Sequence, residues 1–236
     1  MPRIFLAAVL VAAETLVFGV PCLLFALLDR SGRVAHAIVR LWARLVLRNL
    51  GIRVEVEGPA FQGPAVYAAN HASALDVPIL FGYLPVSGGF RILHKHSLYL
   101  VPVLGWYLYL GGHIGIDRGN PFRARRSLAA AVRRIAAGTS VVAFPEGTRA
   151  VDERLRPFKR GSLVMAIQAG VPVVPVSLVG VKKLVPAGIL TLRPGRVVLR
   201  VHPPLPTAGR TSATATELAE EVRRIVAKGC GQEQPA

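Results

Sequence analysis

The hydrophobic pattern divides the chain near residue 50. Residues 4–28 are almost wholly apolar, interrupted by Glu14 and Pro21. At about 1.5 Å per residue, a continuous helix of that length crosses a hydrocarbon core about 30 Å thick. A carboxylate near its middle costs at least about 2.5 kcal/mol in lipid, and a proline there kinks a helix. Arg30 and Arg33 follow. Residues 34–50 then mix apolar positions with Arg40, Arg44 and Arg48, whose spacing of four sets them on one helical face. Such a basic amphipathic helix fits a membrane interface. The pattern predicts a membrane-associated hairpin of two helices that dips into one leaflet and returns. A single span and two core helices of a soluble domain are the alternatives. A signal peptide fits poorly, because Arg3 is the only early charge and no small-residue cleavage site follows.

From Gly51 the period changes. Residues 52–56 alternate apolar and charged positions, as a half-buried strand does, and Gly58-Pro59 ends it. Further strands are predicted at 65–69, 90–94, 113–116, 140–144, 173–179 and 197–201. Helices are predicted at 75–84, 122–137, 161–169 and 211–228, with an apolar helical or loop segment at 97–110. Pro121 and Gly138 bracket the 122–137 helix. Pro172 and Pro175 mark the limits of the 173–179 strand or a bulge in it. Strands alternating with helices argue for an α/β domain built on a mixed, mostly parallel sheet flanked by helices. The expected organisation is a hairpin at 1–50, the α/β domain at 51–229 and a flexible tail at 230–236.

Composition adds a partner class. Just over half of the residues are apolar, yet the net charge is +16. Greasy and basic together point to an anionic membrane surface, where each nearby Lys or Arg contributes about 1 kcal/mol. Nucleic acid is the other usual partner of a basic chain, but no zinc-finger spacing or aromatic RNA-binding signature is present. Cys22 lies in the apolar run and Cys230 in the tail, a pattern that suits neither a disulfide framework nor a metal site.

Ligands of open α/β sheets gather beyond the strands' carboxyl ends. Polar clusters follow Ala69, Ile116 and Ala143 there. The first is Asn70 to Asp76, with His71 and Asp76 five positions apart. On one unbroken helix the two face apart. They meet if His71 lies in the turn before a helix and Asp76 in its first turn. Ser73 is then the expected N-cap, and Asp76 three residues on completes a box-like motif. Capping alone is one reading of Asp76. The other is a His–Asp dyad, in which the carboxylate holds one imidazole nitrogen and the other nitrogen takes a proton from a hydroxyl. The second cluster, Phe144 to Arg149, offers Gly147 and Thr148 backbone N–H groups, a hydroxyl and the Arg149 guanidinium, a set suited to phosphate. Arg118 and Lys159 add charge nearby. These cations are otherwise solvated faces or headgroup contacts.

Asn70-His71 with Asp76, residues 112–120 (GHIGIDRGN), residues 144–149 (FPEGTR) and residues 171–176 (VPVVPV) resemble the four ordered blocks of the glycerolipid acyltransferases, bacterial 1-acyl-sn-glycerol-3-phosphate acyltransferases in particular. The resemblance covers residues 50–205. It implies that His71 is the general base and Asp76 its orienting partner. It implies that Arg118, Glu146 and Arg149 surround the acceptor's glycerol phosphate, with Gly147 and Thr148 between the last two. Lys159 is grouped with them on charge. The implied reaction moves an acyl group from acyl-CoA or acyl-carrier protein, as co-substrate, to lysophosphatidic acid, with no metal and no other cofactor. The implied setting is a bacterial cytoplasmic membrane with the catalytic domain on the cytoplasmic side. An acyltransferase for another lysolipid and a non-catalytic lipid-binding protein are the alternatives.

Overall fold

The computed structural model describes residues 2–29, 32–117, 119–149, 154–186 and 191–232. Two helices lead, α1 (Pro2–Leu28) and α2 (Arg33–Asn49). There follow β1 (Ile52–Glu57), β2 (Val66–Ala69), α3 (Asp76–Tyr83), β3 (Phe90–Lys95), a 3-10 turn (His96–Leu100), α4 (Leu104–Leu110) and β4 (Ile114–Ile116). The rest of the chain gives α5 (Pro121–Ala136), β5 (Ser140–Ala143), α6 (Gly161–Ala169), β6 (Val173–Val179), α7 (Val181–Leu184), β7 (Gly195–Val201) and α8 (Ala215–Gly229). The ambiguous segment at 97–110 thus resolves into a 3-10 turn and a short helix. The last helix starts later than its amphipathic pattern, because residues 211–214 close a turn in which Thr211 N–H donates to Thr214 Oγ1 at 3.2 Å.

The strands form one seven-stranded sheet in the order β1-β7-β6-β2-β5-β3-β4. Every pairing is parallel except β6 with β7. The sheet is therefore mixed and mostly parallel. Strands β6, β2, β5, β3 and β4 share one direction and deliver their carboxyl ends to one edge. The sheet is covered on both faces. In β2, Tyr67 and Ala69 join the core beneath α2, α3 and α7, while Val66 and Ala68 join the core beneath α5, α6 and α8. A strand buried on both sides reads as a continuous apolar run, which is why 65–69 shows no alternation. Pro175 sits inside β6, where its carbonyl accepts from His202 N–H at 3.0 Å. Val176 pairs with Val201 but Val173 with Leu205, so the β7 side carries one extra residue beside the proline. This bulge is where a strand tolerates a missing donor.

The leading helices run antiparallel. Asn49 Nδ2 donates to Glu14 Oε1, Trp42 Nε1 to Thr15 Oγ1 at 3.3 Å, and Cys22 Sγ to Ala35 O at 3.6 Å. The polar atoms of α1 therefore face α2, and the expected cost of Glu14 in lipid does not arise on the outer face. The helix also continues through Pro21. Within it, residues 9–28 have a mean hydropathy of 2.2 and are mostly exposed or half-buried, with Cys22 buried, and they are long and apolar enough to cross a membrane by length and composition. Helix α2 buries Ala35, Val39, Ala43 and Leu47 at a spacing of four against the sheet side. Its arginine stripe is not wholly outward: Arg44 Nε donates to Gly82 O at 2.8 Å and its guanidinium lies over Tyr83.

Between the 3-10 turn and α4 the chain reverses at Val103, with φ 63° and ψ −55°. Leu104 N–H bonds to Pro102 O at 2.7 Å across it. This is a γ-turn in a region that a β-branched residue rarely enters. It sets Val103 against Gly19 of α1, where an added Cβ would meet Val103 Cγ1 at 3.7 Å.

Candidate active site

The site is assembled where β2 ends. Asn70 is buried and bonds the backbone of Leu178 in β6 twice, donating through Nδ2 to the carbonyl at 3.0 Å and accepting the N–H through Oδ1 at 2.7 Å. That clamp fixes the point at which the chain leaves the sheet. The next residue is His71.

Asp76 opens α3 and is completely buried. Its Oδ2 receives three N–H groups: His71 Nδ1 at 2.7 Å, Ala72 N at 2.7 Å and Ser73 N at 2.8 Å. The expected N-cap is corrected here. Leu75, not Ser73, occupies that position and supplies no side-chain bond, because the chain stays in a turn until Asp76. Ser73 Oγ instead accepts from Leu75 N–H at 3.2 Å. What survives of the box is its return bond, from Ser73 N–H to the carboxylate. Capping and dyad are therefore not rival readings, since a single oxygen does both. With Nδ1 donating to Asp76, the imidazole keeps Nε2 as its free nitrogen.

Two residues of the second cluster hold the histidine. The Phe144 ring stacks on the imidazole with centroids 4.0 Å apart and planes 20° from parallel. Glu146 is 4% exposed, and its Oε1 accepts the His71 backbone N–H at 2.7 Å while Oε2 accepts that of Arg156 at 3.1 Å. Burial raises its carboxyl above the ordinary range, and the two backbone bonds pull partly the other way. Glu146 was expected beside the acceptor phosphate. In the structure both of its oxygens are engaged by backbone, and what it joins is the His71 turn to the loop after β5.

Gly147, at φ 80°, makes the tight turn that lets its N–H reach Phe144 O at 3.0 Å. Thr148 Oγ1 accepts from Arg156 Nη1 at 3.1 Å, and Arg149 is exposed. His71, Gly147, Thr148 and Arg149 line part of a cavity of about 580 Å³ whose remaining lining is mostly apolar, including Phe18 and Cys22 of α1, Val77 and Phe81 of α3, and Val103 and Tyr107 around α4. The structure thus brings six of the expected residues together, His71, Asp76, Glu146, Gly147, Thr148 and Arg149. Lys159 is exposed and lies outside that lining; its backbone N–H bonds to Pro145 O at 2.9 Å. Arg118 lies outside the described residues. Arg156 carried no clear sequence signal, and Asn70 and Phe144, though inside the two motifs, carried none for the Leu178 clamp or the His71 stack. His94 and Lys95 also line the cavity. Their place at the carboxyl end of β3 was the available clue.

Comparison with known proteins identifies the family. The family model described as Acyltransferase matches residues 52–179. A 1-acyl-sn-glycerol-3-phosphate acyltransferase of Chlamydomonas reinhardtii is 36% identical over 205 residues, covering 84% of this chain and 59% of its own. A chloroplastic enzyme of the same name from Brassica napus is 33% identical, covering 86% of this chain and 58% of its own. The chain therefore spans about three-fifths of the length of these relatives. The crystal structure of PlsC, the 1-acyl-sn-glycerophosphate (LPA) acyltransferase of Thermotoga maritima, superposes with a TM-score of 0.71 at 28% identity, over 94% of this chain and 95% of that one. With the family match extending over residues 52–179 of 236, this chain belongs to the acyltransferase family.

Proposed function

We propose that the protein is a membrane-associated 1-acylglycerol-3-phosphate O-acyltransferase. It moves a fatty acyl group from acyl-CoA or acyl-carrier protein to the sn-2 hydroxyl of lysophosphatidic acid and forms phosphatidic acid. The observation that carries this reading is the His71–Asp76 pair, bonded at 2.7 Å, with His71 lining a mostly apolar cavity of about 580 Å³. Such a site suits an acceptor with one hydroxyl, an anionic head and an acyl tail. The names of the relatives support the same substrate class.

In this mechanism His71 Nε2 takes the proton from the sn-2 hydroxyl as its oxygen attacks the thioester carbonyl. Asp76, held by two backbone N–H groups, keeps the ring oriented and stabilises the imidazolium that forms. The tetrahedral intermediate collapses: the carbon–sulfur bond breaks, the new carbon–oxygen ester bond remains, and the imidazolium returns its proton to the leaving thiolate. General-base action of this kind supplies about 10²–10⁴ in rate, and positioning two bound substrates supplies as much as about 7–11 kcal/mol. Arg149, with Arg118 in the role the resemblance implies, provides charge for the phosphate, Gly147 and Thr148 border it, and Lys159, outside the cavity lining, adds only to the surrounding positive charge. Glu146 is a positioning residue that sets His71. The donor carrier is the co-substrate, and the scheme uses no further cofactor. Helix α1 keeps the cavity at the bilayer from which the lysolipid comes. A bacterial cytoplasmic membrane, with the sheet domain on the side where the carriers circulate, is the setting that fits these donors.

Incubating the protein with labelled acyl donor and a panel of lysolipids tests the proposal. The expected result is phosphatidic acid from lysophosphatidic acid, with thiol release that requires the acceptor. Preference for a lyso-aminolipid would move the acceptor assignment. Thiol release without acceptor would indicate hydrolysis, and no turnover with any acceptor would leave a lipid-binding protein.

A further inference from the structure

We propose that the 3-10 turn and α4, residues 96–110, form a second lipid-inserting element beside α1, so that the acyl cavity is flanked by two membrane-embedded walls. No Asp, Glu, Lys or Arg occurs between Lys95 and Asp117, in a chain that is 18% charged. Leu108 is buried and Tyr107 packs against the core, but most apolar side chains of this segment are not spent on it. Leu100 is 84% exposed, Tyr109 74% and Trp106 58%, and Leu98, Val101 and Leu104 are exposed as well. A contiguous apolar surface of this kind on an otherwise strongly basic protein calls for a partner. The segment is a built element: an added Cβ on Gly105 would meet Tyr99 O, so α4 lies directly on the turn that precedes it.

The occupant is chosen by continuity. Val103 packs on Gly19, joining α4 to the helix whose outer face is exposed and long enough to cross a membrane. Both elements line the same cavity, α1 through Phe18 and Cys22 and the second element through Leu98, Val103 and Tyr107. A bilayer that receives the α1 face therefore meets this surface too. Trp and Tyr are the side chains enriched at the membrane–water boundary, and Lys95 and His96 at the start of the segment are exposed, at the level of headgroups. This inference rests on the membrane association proposed above, and the test separates the two.

Trp42 and Trp106 are the only tryptophans, and Trp42 is bonded to Thr15 between the two leading helices. In a Trp42→Phe variant, Trp106 is the sole reporter. In vesicles of anionic phospholipid brominated on the acyl chains, its emission is expected to shift to the blue and to be quenched. A control, Leu24→Trp in a Trp42→Phe/Trp106→Phe background, reports on α1 and should be quenched too. In the otherwise native chain, Trp106→Phe should remove most of the bromolipid-quenched signal. Quenching of the α1 reporter but not of Trp106 would overturn the second element and leave membrane association standing. Quenching of neither would overturn both. Protection of Trp106 from aqueous iodide only on adding acyl-carrier protein would overturn the lipid assignment and give the surface to a protein donor.

Discussion

Asp76 Oδ2 accepts the His71 Nδ1 hydrogen at 2.7 Å and, at the same oxygen, the backbone N–H groups of Ala72 and Ser73. The carboxylate that would orient the proposed base also shapes the turn that carries it, so the two functions separate only by choice of substitution. Asp76→Asn can keep all three bonds if its amide oxygen takes the Oδ2 position, and loses only the charge that stabilises imidazolium. Asp76→Ala loses the bonds as well. Acyl transfer is expected to fall about 10²–10⁴-fold in the Asn variant with little change in unfolding free energy. The Ala variant should be as inactive and also less stable by about 1–3 kcal/mol per unsatisfied buried group. Steady-state kinetics and urea titration of both variants check this, and equal stability would contradict the dual role.

Glu146→Gln separates positioning from substrate binding. Its amide can accept only one of the two backbone bonds that Glu146 now receives from His71 and Arg156. If Glu146 acts by setting His71, kcat falls at least about tenfold while the acceptor KM moves little. A raised acceptor KM with unchanged kcat would instead place Glu146 against the substrate.

Arg149 is exposed and lines the cavity. Hydrogen bonds to charged groups contribute about 1.5–3 kcal/mol, and each 1.4 kcal/mol is about tenfold in affinity. Arg149→Ala should therefore raise the acceptor KM about tenfold to a hundredfold and leave the donor KM near its original value. Kinetics with each substrate varied in turn decide it; an unchanged acceptor KM counts against a phosphate contact.

Acid should destabilise the fold through histidines outside the proposed chemistry. His113 Nδ1 accepts the Ile92 N–H at 2.9 Å, which it does only when that nitrogen is unprotonated. Burial first, and Arg91 next, push His113 well below the ordinary value of 6.5 and His36 to about 4. The native state then binds fewer protons than the unfolded chain below pH 6.5. Stability is fully present above that value and is lost as pH falls, by up to about 1.4 kcal/mol per pH unit per group. The raised carboxyl of Glu146 acts in the opposite sense, but burial also lowers His94 and His202, so it is one group against four histidines. Urea midpoints should be level from pH 8 to 7 and drop between pH 6.5 and 5.5; a midpoint flat to pH 5.5 would contradict this.

The parts of the fold legible in the sequence are those set by local periodicity and local caps. Alternation gave β1, and Pro121 with Gly138 bounded α5 to within a residue. The strand order was not readable, because parallel pairings join segments as distant as β2 and β5, and Val-rich strands buried on both faces carry no register mark. In the site, His71 and Asp76 could be paired from spacing, since a turn followed by a helix start is a local geometry. Asn70 could not be tied to Leu178, nor Phe144 to His71, because those contacts cross the sheet and exist only once β2, β5 and β6 lie side by side. Glu146 shows the same limit in reverse. The family resemblance implied a ligand role for it, whereas its partners, the His71 and Arg156 backbones, come from the fold.

The most direct test of the central claim is acyl transfer from acyl-CoA to lysophosphatidic acid by His71→Ala in anionic vesicles, with circular dichroism and urea unfolding measured on the same preparation. If His71 is the base for the sn-2 hydroxyl, phosphatidic acid formation falls by at least about 10²–10⁴-fold while the spectrum stays native. A folded His71→Ala protein that turns over within tenfold of the parent would contradict the account.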